Sequence, residues 1–122
     1  MLKSYKELKV WKKSYDLCLE IYKITAKFPN KEIYDLTSQI RRAAVSIPSN
    51  IAEGYGTRTT TDYVRKLHIS YGFVFGLETQ ILLAGDLLMI AEDELSELKK
   101  ELTELERMLK ALIKSLEKHL PA

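Results

Sequence analysis

The side chains able to do chemistry are few and scattered. Glu53, Glu78 and Asp86 are the carboxylates that acid–base catalysis would have to use, yet no two of them share a motif. His68 and His119 sit far apart and Cys18 is the single cysteine, which falls short of the N/S ligand set of a zinc site. No histidine lies near a Ser or Cys nucleophile in sequence, and there is no glycine-rich phosphate loop. These residues predict a protein with no catalytic side chains, no cofactor, no bound metal and no small-molecule substrate.

Two polar constellations remain. Gln39, Arg42, Ser46, Asn50 and Glu53 recur at intervals of three or four, which places them on one stripe of a helix. Such a stripe serves as a surface for RNA or a protein partner, as the lining of a central opening in an oligomer, or as a hydrogen-bonded protomer contact in which Arg41 or Arg42 pairs with Glu53 or with a carboxylate on another helix. The second is basic. Lys9, Lys12, Lys13, Arg41, Arg42, Arg58, Arg65 and Lys66 are the cations that an RNA backbone would meet. The other reading of these lysines is a solvated face that keeps the chain soluble.

The whole chain limits both ideas. Its 122 residues carry 19 Lys+Arg against 17 Asp+Glu, a net charge of +2, too small for a strong nucleic-acid binder, so any basic surface must be local. With 46% hydrophobic residues, five Gly and three Pro, the composition suits one helical domain over residues 1–122 and disfavours a many-stranded fold. The lone cysteine and the absence of an apolar leader in MLKSYKELKVW point to the cytoplasm.

Periodicity predicts helices near residues 6–28, 32–54, 61–90 and 93–120. The first has two apolar stripes. Leu8, Trp11, Tyr15, Cys18 and Tyr22 form one, and Val10, Leu17, Ile21, Ile24 and Phe28 form another. One core needs a single stripe, so a second copy of the chain is expected against Val10, Leu17, Ile21, Ile24 and Phe28, while Trp11, Tyr15 and Tyr22 read as packing or interface anchors. Phe28-Pro29 ends the helix.

The second helix carries Ile33, Leu36, Ile40, Ala43, Ile47 and Ile51 in one phase, so it should be kinked at Pro48. The alternative is a break and restart in which Asn50 caps. The third helix starts in the Thr59–Asp62 cluster and is almost uncharged between Leu67 and Ala91, which predicts the most buried helix of the four. Glu78-Thr79-Gln80 near its middle argues against a membrane span. Gly72 and Gly76 suggest close helix packing. In the fourth, Leu95, Leu98, Leu102, Leu105, Leu109, Leu112 and Leu116 alternate three and four apart, a coiled-coil-like seam. The economical architecture is an all-α, antiparallel, up-down-up-down four-helix bundle.

The run from Gln39 to Gly54, QIRRAAVSIPSNIAEG, resembles the signature of the four-helix-bundle proteins known as 23S rRNA intervening-sequence proteins. Leu8–Lys13 is similar to that family's first-helix opening and Leu77–Gln80 to its third-helix motif. The resemblance implies a bacterial homopentamer without catalytic activity, encoded in relatives within an insertion in the large-subunit ribosomal RNA gene. The similar pentameric accessory protein of diversity-generating retroelements adds RNA or a nucleoprotein as a partner by analogy. Gly72-Phe73 departs from the family's frequent Gly-Ser followed by an acid.

Overall fold

The structure, a computed structural model, describes residues 2–29 and 35–120. They form four α-helices and no strand: α1 (Lys9–Thr25), α2 (Leu36–Tyr55), α3 (Thr60–Asp86) and α4 (Glu92–Glu117). A short 3-10 turn, Tyr5–Glu7, precedes α1. Its N-cap, Ser4, accepts from the Lys6 N–H, and extended backbone at Leu8 separates turn from helix. The helix therefore begins about one turn later than the expected start at residue 6.

Local chemistry sets the other boundaries. The Thr59 hydroxyl accepts from the Asp62 N–H at 3.1 Å and opens α3. The expected end of α3 near Ile90 is overturned by a Schellman cap, in which Met89 N–H donates to Ala84 O at 2.9 Å and Leu88 N–H to Gly85 O at 3.0 Å. Leu88 occupies the left-handed position at φ 62°, where glycine is usual.

α2 runs unbroken through Pro48. Asn50 does not cap a restarted helix; its Nδ2 donates back to Ser46 O at 2.8 Å, and Ser46 Oγ donates to Arg42 O at 2.8 Å. Ser70 of α3, fully buried, donates to Ile47 O at 2.8 Å and ties α3 to α2 beside the proline. The expected beginning of this helix at Glu32 and Ile33 lies outside the described residues.

Among the described residues, the backbone of α1 lies close to α2 and α4, that of α3 lies close to α2 and α4, and the diagonal pairs α1/α3 and α2/α4 stand farther apart across one shared core. Polar pairs fix which ends meet. Lys13 near the start of α1 pairs with Glu101 and Glu104, whereas Lys27 beyond its end reaches Glu94 at 2.5 Å. Arg41 Nε donates to Thr25 Oγ1 at 2.8 Å, and Tyr55 O–H to Leu2 O at 3.2 Å. Lys66 meets Glu53 at 3.1 Å, and His68 lies 3.5 Å from Glu117.

The core takes Val64, Leu67, Ser70, Val74, Leu77, Ile81 and Ala84 from α3, each three or four residues after the last. α4 supplies Leu98, Leu102, Leu105 and Leu109, then Ile113 rather than Leu112. That step of four follows from the drift of a 3.6-residue helix against a 3.5-residue repeat. Each fully buried Leu, Ile or Val among them stabilises the fold by about 1.5–3 kcal/mol.

Two expectations about burial are corrected. Val10, Leu17, Ile21, Ile24 and Phe28 are buried in the chain's own core, Ile21 to 1% exposure, so they face α2 and α4 and not a second copy. The other stripe is the open one: Tyr15 and Tyr22 are exposed, with Leu8, Trp11 and Cys18 half-buried, and Leu19 next to it is exposed too. Nor is α3 the most buried helix. Seven of its 27 residues are buried against nine of the 20 in α2.

Candidate functional site

The apolar content that α3 does not place in the core lies on its surface. Ile69, Phe75, Leu82, Leu83 and Leu87 are all exposed, Leu83 to 49%, and Leu88 just beyond the helix is 90% exposed. Gly72 and Gly76 sit on this face. A Cβ added at either would meet nothing within 4 Å, so they are not the close helix packing that their spacing predicts. Their absent side chains instead form the floor of a groove of 510 Å³ between α2 and α3, walled by Gln39, Arg42 and Ala43 on one side and Ile69, Phe73 and Gln80 on the other. The lining is mainly apolar. Gln80 Oε1 is buried and finds no hydrogen-bond partner among the described residues.

The polar stripe of α2 is divided. Gln39 and Arg42 are exposed at the groove, Ser46 and Asn50 bond back along their own helix, and Glu53 pairs with Lys66. Neither arginine pairs with Glu53, because both project from earlier turns of α2. Arg41 turns to α1, where its guanidinium lies 4.6 Å from the Tyr22 ring and donates to Tyr22 O at 3.3 Å.

Most of the expected phosphate-binding cations are engaged. Lys12 pairs with Asp16 at 3.0 Å, Arg65 with Asp62 at 3.7 Å, Lys66 with Glu53 and Lys13 with Glu101 and Glu104. Partial burial pulls the Lys13 pKa down, but the hydrogen bonds and charges of the two glutamates outweigh it and hold it above the ordinary lysine value. Lys9, Arg42 and Arg58 have no carboxylate partner among the described residues.

No three His, Cys, Asp or Glu side chains converge as a metal-ligand group among the described residues. Burial pushes the Cys18 thiol up, which makes it a poor nucleophile. The Tyr63 hydroxyl is also raised, first by burial and then by Tyr55 beside it. The rings of those two tyrosines meet edge-on, 6.2 Å apart.

A model of the 23S rRNA-intervening sequence protein family matches residues 6–111, nearly the whole bundle. The chain belongs to this family. Its fold is shared by a solved structure of a protein of unknown function from the S23 ribosomal protein family of Bacteroides thetaiotaomicron, with a TM-score of 0.80 and 24% identity over 86% of this chain and 95% of that one. The comparison with curated proteins gives no match. The run that carries the family resemblance, Gln39–Gly54, is α2 itself. Its apolar positions are core, while Gln39 and Arg42 border the groove.

By length and composition α3 is also apolar enough to cross a membrane, with 33% of its apolar stretch buried in the bundle. A core helix of a soluble bundle has the same properties. The sequence reasoning missed Leu19, Ile69, Phe75 and Leu83 as surface residues. The available signal was quantitative: α3 holds more apolar residues than one three-four seam accommodates, and its two glycines are on the side away from that seam.

Proposed function

We propose that this protein is a non-enzymatic subunit of a homo-oligomer, five copies being the number its family resemblance implies, working in the cytoplasm as a binding partner of other macromolecules. Each subunit is an antiparallel up-down-up-down bundle, a reading supported by Lys13 with Glu101, Arg41 with Thr25, Lys66 with Glu53 and His68 with Glu117. A bend of α2 at Pro48 follows from the missing N–H and from the back-bonded Ser46 and Asn50 on either side. The observation that carries the oligomer is the open apolar face of α3 with its glycine-floored groove, since a contiguous apolar surface of this kind is stabilised by being covered. Light scattering and native mass spectrometry at micromolar concentration test it: a pentamer is expected, and a monomer overturns the reading.

The charge distribution favours RNA as the macromolecular partner. The end of the bundle where Tyr55 meets Leu2 and His68 meets Glu117 collects Lys3, Lys6, Lys9, Arg58, Lys114 and Lys118, while Glu92, Asp93, Glu94 and Glu97 lie at the other end. Phosphates are attracted to that basic end. Retention of structured RNA at about 50 mM salt, with the logarithm of the affinity falling linearly with the logarithm of salt concentration, is the expected result. Replacing Lys9 and Arg58 by Ala should lower the salt slope by about one unit each, and no retention at low salt removes this partner.

A further inference from the structure

We propose that the start of α2 is a binding site for a small phosphate monoester, held by Arg41, Arg42, Ser38 and Thr37. These four side chains and Tyr22 of α1 line a pocket of 360 Å³, and Arg42 borders both this pocket and the α2–α3 groove. Neither the oligomer nor the RNA reading above makes use of it.

Two guanidinium groups supply the charge. Neither Arg41 nor Arg42 has a carboxylate partner among the described residues. Arg41 is also held in place. Its Nε donates to Thr25 Oγ1 at 2.8 Å and its Nη2 to Tyr22 O at 3.3 Å, while the guanidinium lies 4.6 Å from the Tyr22 ring. The remaining N–H donors of this fixed group are left for a ligand.

Thr37 points to a ligand independently of the arginines. It is 2% exposed and lines the pocket, yet its Oγ1 has no hydrogen-bond partner among the described residues. Buried hydroxyls are normally paired, and a ligand oxygen seated between the arginines supplies the missing acceptor. The helix end adds to this. The backbone ladder of α2 begins with Gln39 N–H on Asp35 O, so the N–H groups of Thr37 and Ser38 lie ahead of it, and the first turn holds neither an acid nor a side-chain cap. The neighbouring Asp35 carboxylate accepts from Gln39 Nε2 at 3.3 Å, on the groove side.

Geometry and charge select the ligand. Donors arrive from two guanidinium groups and from hydroxyls beneath them, which suits the doubly charged, tetrahedral head of a phosphate monoester. A carboxylate is planar and singly charged, and one guanidinium fork satisfies it. The pocket is larger than a phosphate group and leaves room for a small organic body beside Tyr22. An RNA backbone is disfavoured here. Arg41 bonds to the last residue of α1, and Lys27 just beyond pairs with Glu94, so the site lies at the end of the bundle that carries Glu92, Asp93 and Glu94. An extended polyanion would meet those acids, whereas a small ligand fills the pocket alone.

Isothermal titration calorimetry with ribose 5-phosphate at low salt tests this. Saturable binding is expected, weakened about tenfold or more by Arg42→Gln and by Thr37→Val and unchanged by Lys100→Ala on the exposed side of α4. Arg42 is exposed, so its replacement leaves the fold intact, and circular dichroism of the variants should match the parent. Thr37→Val keeps the shape and removes the hydroxyl, so a Thr37 with a purely structural role would leave the affinity as it was. Inorganic phosphate, which lacks the organic body, and dimethyl phosphate, which lacks the second charge, should each bind more weakly. Absence of saturable binding, full affinity in Arg42→Gln or Thr37→Val, or either of those two probes binding as tightly as ribose 5-phosphate overturns the site. A 5′-phosphorylated RNA strand that binds more tightly than ribose 5-phosphate and loses that affinity in Arg42→Gln overturns the small ligand in favour of RNA.

Discussion

Replacing Gly72 and Gly76 together by Ala separates the stability of the single chain from that of the proposed oligomer. Both glycines lie inside α3, and neither added methyl would touch another atom within 4 Å, so no steric loss offsets the gain in helix propensity. At about 0.5–1 kcal/mol per site the pair should stabilise the isolated chain by about 1–2 kcal/mol. For a chain of this length the unfolding entropy makes 1 kcal/mol worth about 4 °C, which predicts a rise in Tm of about 4–8 °C. The same two methyls raise the groove floor where a neighbour is to sit, so self-association should weaken at least about tenfold. Thermal denaturation by circular dichroism on the dissociated chain measures the first effect, and sedimentation equilibrium the second. A lower Tm would mean that the chain itself closes over this face. A higher Tm with unchanged association would remove the groove from the interface. Gly54→Ala is the control of opposite sign: its Cβ would lie 2.9 Å from Lys66 Cβ and 3.3 Å from the Tyr63 carbonyl, so it should cost about 1–3 kcal/mol.

Three further outcomes follow from the same geometry. Ile21→Asp places a carboxylate at a site of 1% exposure and should abolish helicity, not merely dissociate an oligomer; a folded monomer by circular dichroism and gel filtration would return the Val10–Phe28 stripe to the surface. Leu88→Gly relieves a left-handed leucine in the Schellman cap and should stabilise the chain by about 1 kcal/mol, read as a higher urea midpoint, an expectation refuted by a lower one. Lys13 and Tyr63 both have folded pKa values above their ordinary 10.5 and 10.0, so the native state holds protons that the unfolded chain releases. The contribution of these two groups should be fully present below about pH 9 and be lost as pH rises through 10 and above, with Lys13→Met and Tyr63→Phe together flattening that fall in urea titrations.

Much of the fold is legible because it depends on periodicity and caps. The Leu98–Leu109 seam, the Thr59 start of α3 and the phase of Ile40, Ile47 and Ile51 through Pro48 are local patterns, and the structure contains each. What periodicity does not contain is which of two apolar stripes a helix turns inward. Val10-Leu17-Ile21-Ile24 and Trp11-Tyr15-Cys18-Tyr22 are both spaced for a helix face; the choice is made by neighbours far along the chain. Lys13 reaching Glu101 and Arg41 reaching Thr25 fix the rotation of α1, and those partners are invisible in a window of eighteen residues. β-branched Ile21 and Ile24 also fill an interhelical seam with less bulk than Trp11 or Tyr15, which favours them inside. The end of α3 was missed for a different reason, because a Schellman cap is anticipated from glycine and here its left-handed position holds leucine.

That leucine bears on the assembly as well as on the boundary. In an isolated bundle Leu88 is unfavourable twice over, once in backbone conformation and once in 90% exposure of an apolar side chain. Leu83 and Leu87 lie within the same stretch of surface, and Gly72 and Gly76 each cost helix propensity without packing against anything in their own chain. No single one of these departures is unusual. Their concentration on one helix face is, because none of them stabilises the isolated chain and all of them gain from the same event, the covering of that face. A surface that is unfavourable alone and favourable when covered has the thermodynamic form of an interface, and this concentration on one face is what supports the oligomer proposed above.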